Sequence, residues 1–204
     1  ISNIEEFNSD GNYLFSIMRG FRLEKLLFRL LDENEFLSDY GIRSLSKYHE
    51  EHPYVFQHNG HHQISYESGE SQSNMFGGNS NWRGPIWLPL NYMIVQSLRK
   101  YYSYYGDQYV YEFPTGSGVK LNLNEIANEI SKRLIKLFEP NENGKFVYHS
   151  EDEQQLFSKN EHFKNEHFFY EFFDGDSGKG LGASHQTGWT ALIANLIMEL
   201  EQNT

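Results

Sequence analysis

The chain has 204 residues, is 38% hydrophobic and 16% aromatic, and carries 28 acidic against 17 basic residues for a formal charge of −11. That is enough apolar material for one globular domain, and the negative field repels a polyanion such as nucleic acid. Cysteine is absent, which excludes disulfides and thiolate metal sites and favours a reducing, cytoplasmic compartment, and no apolar run approaches the roughly 20 residues that span a bilayer.

From Phe21 to Leu31 the apolar positions Leu23, Leu26, Leu27, Leu30 and Leu31 recur at helical spacing, which predicts a helix with one buried face. A long irregular region follows, from about Asp39 to Pro89. Loops beyond about 15 residues are usually functional or disordered. Within it, His49, His52, His58, His61 and His62 lie among aromatics, but none of them forms the motif of a zincin helix, so no metal is assigned. His61 and His62 are read as neighbours on a hairpin, pointing to opposite faces.

The region closes on Asn79-Ser80-Asn81-Trp82-Arg83-Gly84-Pro85-Ile86-Trp87, where two indoles, a guanidinium and two amides surround a Gly-Pro turn. Flat apolar faces beside hydrogen-bonding groups are what a pyranose ring requires, with its apolar C–H faces and rim of hydroxyls. Read from the residues alone, these tryptophans serve either a sugar site or the core.

Pro89 suits the first turn of a second helix that runs through Tyr105 and stops at Gly106. Asn122 caps a third, with Leu123, Ile126, Ile130, Leu134, Leu137 and Phe138 inward and Pro140 ending it. His162 to Phe169 reads as a short helix, or Phe168 to Phe173 as extended chain. There Glu171 sits inside the aromatic run Phe168 to Phe173, a setting suited to a proton-handling group and equally compatible with a solvent-facing acid. Asp174-x-Asp176-x-Gly178 lacks the later ligands of a calcium loop and reads as a turn. Gly178-x-Gly180-x-Gly182 is not a dinucleotide fingerprint, and no cofactor is implied. A last helix runs from about Trp189 to Leu200.

Four separated motifs in order, Tyr40-Gly41-Ile42-Arg43-Ser44-Leu45-Ser46, Gly77-Gly78-Asn79-Ser80-Asn81-Trp82-Arg83-Gly84-Pro85, Tyr170-Glu171-Phe172-Phe173 and Gly188-Trp189-Thr190, resemble the carboxyl-terminal part of the catalytic domain of glycoside hydrolase family 63, the processing α-glucosidases. Trehalases of family 37 are similar over part of the same pattern. The resemblance implies an all-α chain, part of an (α/α)6 toroid with long irregular loops, in which residues 1–204 form the carboxyl-terminal portion. About five helices are legible where a toroid needs about twelve, so the chain reads as a fragment.

The family's chemistry, carried onto this chain, is inverting hydrolysis of a terminal α-glucosidic bond in an oligosaccharide or glucoside. The resemblance makes Glu171 the general base and leaves the general acid to the missing upstream half, the implied partner unless the chain self-associates. It assigns Asn81, Trp82, Arg83, Gly84, Trp87, Tyr170, His185 and Trp189 to the substrate site. Trehalase-like or mannosylglycerate-hydrolase-like specificity is the alternative within the class, and a non-catalytic carbohydrate-binding or interface module the alternative outside it.

Overall fold

The computed structural model describes residues 11, 13–18, 20–57, 60–72, 81–163 and 166–202. Gly77, Gly78, Asn79 and Ser80 of the second motif, and His58, lie outside them. The first helix, α1 (Phe21–Leu30), begins at Gly20, whose φ of 51° a side chain would resist. Leu23, Leu27 and the following Leu31 are buried, whereas Leu26 is 40% exposed. The expected apolar face is therefore only partly covered. Two short strands, β1 (Leu37–Ser38) and β2 (Gly41–Ile42), then pair antiparallel.

The expected hairpin is present as β3 (Tyr54–Gln57) and β4 (His61–Ile64), with Phe56 opposite His62. Helix α2 (Leu88–Tyr105) has Pro89 in its first turn, where a missing N–H is harmless, and ends at Gly106 with φ 61°. A ribbon of β5 (Val110–Glu112) and β6 (Lys120–Asn122) leads into α3 (Leu123–Ile135). There Asn122 accepts from the Asn124 and Glu125 amides while the Glu125 carboxylate accepts from the Asn122 amide, a complete capping box.

Helix α4 (Glu151–Lys159) is where sequence reading placed no helix, and the described residues of His162 to Phe169 form turns and irregular chain instead. Ser150 and Glu153 make a second capping box that starts the helix early, and Asn160 turns extended to end it. Glu171 leads into the two-residue strand β7 (Phe172–Phe173), which pairs with β8 (Gly180–Leu181). The last predicted helix is divided into a single turn, α5 (Thr187–Thr190), and α6 (Ile193–Gln202). Trp189 and Thr190 are tied by their side chains to the backbone of Glu171 and Tyr170, and the following amides bond three residues back.

The architecture is thus helical with four small antiparallel ribbons among the described residues, which corrects the all-α expectation. Hairpins supply backbone partners inside loops that helices do not reach. Helix α3 packs against both α2 and α6. Its Leu123, Ile126, Ala127, Ile130 and Leu134 are all fully buried, each large aliphatic contributing about 1.5–3 kcal/mol by transfer from water.

Asn91 on α2 joins this core to β2. Its Oδ1 accepts from the Ile42 amide at 2.7 Å and its Nδ2 donates to the carbonyls of Ile42 and Trp87, both at 3.0 Å. Gly41 beside it has φ 134°, and a Cβ there would stand 2.8 Å from Leu134 Cδ2. Asn91→Ala strands the buried Ile42 amide and carbonyl, so denaturant unfolding should show a loss of about 2–3 kcal/mol. The half-buried cap change Asn122→Ala should cost about 1 kcal/mol. An Asn91→Ala loss no larger than that of Asn122→Ala would contradict the assignment.

Candidate active site

Three loops converge around a ladder of rings. Trp82 lies parallel to Trp87 with ring centroids 3.7 Å apart and planes 6° apart, and Trp87 in turn stacks on Phe172 at 4.6 Å and meets Trp189 edge-on at 5.8 Å. Trp87 is 1% exposed and Trp82 43%. The two tryptophans therefore divide the two sequence readings: Trp87 is core, while Trp82 keeps a flat face toward solvent at the end of the ladder.

Glu171 enters from the aromatic run beside that ladder. It is half-buried, its amide donates to the Ala183 carbonyl at 2.8 Å, and its Oε2 accepts from the Ala183 amide at 3.1 Å. Trp189 donates from its indole N–H to the Glu171 carbonyl at 2.9 Å, and the Thr190 hydroxyl donates to the Tyr170 carbonyl at 2.7 Å. Gly182 has φ 69°, and a Cβ there would come within 2.7 Å of Glu171 Oε2. Glu171 is thus held by the Ala183 backbone on one side and by the side chains of Trp189 and Thr190, through the Glu171 and Tyr170 carbonyls, on the other.

Asn81, Arg83 and Gly84 turn inward. Asn81 donates to the carbonyls of Glu67 and Gly69 at 2.8 and 2.7 Å, and its own carbonyl accepts from the Trp87 indole. The guanidinium of Arg83, 5% exposed, donates to Glu67 Oε2 at 2.8 Å, Ser71 Oγ at 2.6 Å and Asn81 Oδ1 at 3.2 Å. A Cβ on Gly84 would lie 2.3 Å from the Glu67 carbonyl oxygen. These residues shape the loop that carries Trp82.

Tyr170 is buried with its hydroxyl 3.4 Å from both His149 Nδ1 and Glu153 Oε1. Burial first, then the Glu153 carboxylate, pushes its phenol far above the ordinary value, so it stays protonated. His185 is exposed, its ring near Phe168 and Phe169.

The Asp174–Gly178 segment is a turn as read. Asp174 Oδ1 caps the amides of Asp176 and Ser177, and the Asp176 carboxylate is taken by Arg43 at 3.0 Å, Lys47 at 2.9 Å and the Tyr66 hydroxyl at 3.1 Å. Among the described residues, no group of three or more histidines and carboxylates is arranged for a metal ion, and no helix is long and apolar enough to cross a membrane. Sequence reasoning missed Glu67 and its neighbours, which sit in irregular chain with no periodic signal.

The family profile described as Glycosyl hydrolase family 63 C-terminal domain matches residues 16–136, more than half of the chain. The chain belongs to glycoside hydrolase family 63. Its matched span takes in the Trp82 loop, and Glu171 lies beyond it. This family 63 chain is 52% identical over 202 residues to an uncharacterized protein of Saccharomyces cerevisiae, covering 97% of the chain and 19% of that protein. It is 27% identical over 177 residues to the mannosyl-oligosaccharide glucosidase of the same yeast, covering 86% and 15%, and 25% identical over 177 residues to alpha-glucosidase 2 of Arabidopsis thaliana, covering 87% and 16%.

The chain thus spans less than a fifth of the length of these curated relatives. The cytoplasmic expectation does not stand. It is contradicted by relatives named as mannosyl-oligosaccharide glucosidases, and a cysteine-free stretch matching 15% of such a protein carries no information on compartment.

Asp176 gives the site a pH dependence. Burial alone would raise its pKa, but the hydrogen bond from Lys47 and the charge of Arg43 outweigh it and hold the carboxyl below the usual 3.8. A depressed carboxyl stabilises the fold above its unfolded pKa, and that contribution disappears as pH falls through the folded value. Asp176→Asn should therefore lower the melting temperature at pH 7, with the gap to wild type closing below pH 3.8. A gap that stays constant with pH would show that the charge of Asp176 is not what holds the turn.

Proposed function

We propose that this chain is the carboxyl-terminal portion of an (α/α)6 catalytic domain, and that it supplies the general base and one wall of the sugar site of an inverting α-glucosidase. The single observation that carries this reading is Glu171, next in the chain to Phe172 of the Trp82–Trp87–Phe172 ladder, its carboxylate held by the Ala183 amide and its carbonyl by the Trp189 indole. Oligosaccharide or glucoside is the substrate class, in keeping with relatives named mannosyl-oligosaccharide glucosidase and alpha-glucosidase 2.

In this mechanism Glu171 takes a proton from a water whose oxygen attacks the anomeric carbon, while the bond to the leaving oxygen breaks on the opposite face. A general acid elsewhere in the polypeptide protonates that oxygen. Inversion needs the two carboxyls about 6.5–9.5 Å apart, leaving room for the water. The exposed face of Trp82 stacks on the C–H face of the sugar, Tyr170 and Trp189 serve by flanking Glu171 through the chain and through the bond to its carbonyl, and the exposed His185 is the remaining candidate contact. Asn81, Arg83, Gly84 and Trp87 serve the substrate by holding the Trp82 loop.

The rest of the toroid packs on the open apolar side of the chain. An apolar groove of about 930 Å³ runs between α1 and α2, lined by Leu23, Leu26, Leu90, Met93 and Ile94 among others. With Leu26 40% and Met93 56% exposed, this surface is suited to further helices.

The test is Glu171→Gln in the full-length protein. The amide oxygen still accepts from Ala183, so fold and inhibitor binding should persist while kcat for an α-glucoside falls about 100-fold or more. A rate within a few-fold of wild type would remove Glu171 from the base role.

A further inference from the structure

The segment Tyr66 to Ser71 touches both loops that carry the proposed site. Toward the Trp82 loop, the Glu67 amide donates to the Arg83 carbonyl at 2.9 Å, its carboxylate accepts from the Arg83 guanidinium at 2.8 Å, and its carbonyl accepts from Asn81 at 2.8 Å. Toward the loop after Glu171, the Ser68 hydroxyl donates to Asp174 Oδ2 at 3.0 Å, the Gly175 amide donates to the Ser68 carbonyl at 2.8 Å, and the Tyr66 hydroxyl donates to Asp176 at 3.1 Å. The packing has no slack. A Cβ on Gly84 would lie 2.3 Å from the Glu67 carbonyl oxygen, and one on Gly175 would lie 2.5 Å from the Gly84 carbonyl oxygen.

We propose that Glu67 is a positioning residue: through its ion pair with Arg83 it fixes the Trp82 face in register with Glu171. This rests on the reading that Trp82 and Glu171 share one glucoside site. Most of the segment's ties are made by backbone or by Asn81, and substitution of Glu67 leaves them in place. The carboxylate is the side-chain arm. Its Oε2 holds the guanidinium and also accepts from the Gln72 amide at 3.2 Å. The side chains of Arg83 and Glu67 are 6% and 21% exposed, so solvent screens the pair poorly. Removing the charge here takes from the buried guanidinium the carboxylate acceptor that balances its own charge, and Arg83 is the residue next to Trp82 in the chain.

Glu67→Gln in the full-length protein separates positioning from mere support. Two indoles stacked at 3.7 Å give an exciton couplet in the far-ultraviolet circular dichroism, isolated as the difference from Trp82→Phe. Glu67→Gln should weaken that couplet and raise KM for an α-glucoside about tenfold, with kcat within about twofold, the pattern of a displaced binding wall. A lowered melting temperature with couplet or KM unchanged overturns the proposal. Should Glu67→Gln fail to fold, Ser71→Ala removes another acceptor of the same guanidinium and is read in the same way. If the wild type cleaves no α-glucoside, the functional reading fails, and the couplet alone then decides whether Glu67 holds the stack.

Discussion

One pair of backbone hydrogen bonds holds the site together. Ile86 donates to the Phe173 carbonyl at 2.8 Å and Phe173 donates back to Ile86 at 3.0 Å, with both side chains fully buried. Ile86 also bridges to Arg43. Through this one residue the end of the Trp82 loop, the strand after Glu171 and the chain after β2 meet edge to edge, and the Trp87–Phe172 stack lies alongside the join. Such a short pairing has little stability by itself. It persists because the α2–α3 core closes one side and the Asp176 ion pairs clamp the other.

The charges around the join work the same way. Arg43 donates to the carbonyls of Glu33, Glu35 and Leu37 and to Asp176, so one guanidinium ties the turn after α1 to the turn after Glu171. Arg83 does the equivalent for the Trp82 loop through Glu67. Both cations are nearly buried, so each holds its loop firmly only while its acceptors stay in place. The scaffold around the proposed base is thus rigid, which suits a group that must meet a water at fixed distance from a second carboxyl.

What the sequence disclosed follows from which signals are local. Helices α1, α2 and α3 were legible because apolar spacing, Pro89, Gly106 and Asn122 each act within one or two turns. Helix α4 carries a local signal too, the capping box of Ser150 and Glu153, but its apolar positions are too sparse to give a helical period. The ribbons were not, because a two-residue strand has no period. The site was legible as a set of motifs and not as roles. Trp82 and Trp87 look equivalent in the chain, and only the ring that covers Trp87 tells them apart. Arg83 looks like a ligand donor until Glu67 is seen, 16 residues earlier in irregular chain and bonded to it.

If Glu171 activates water on the face opposite the leaving oxygen, the stereochemistry of the product must record it. Proton NMR of a fresh digest of an α-glucoside by the full-length protein, followed before mutarotation, is the most direct measurement. The account predicts that β-glucose appears first and the α-anomer only later; α-glucose as the first product would contradict it.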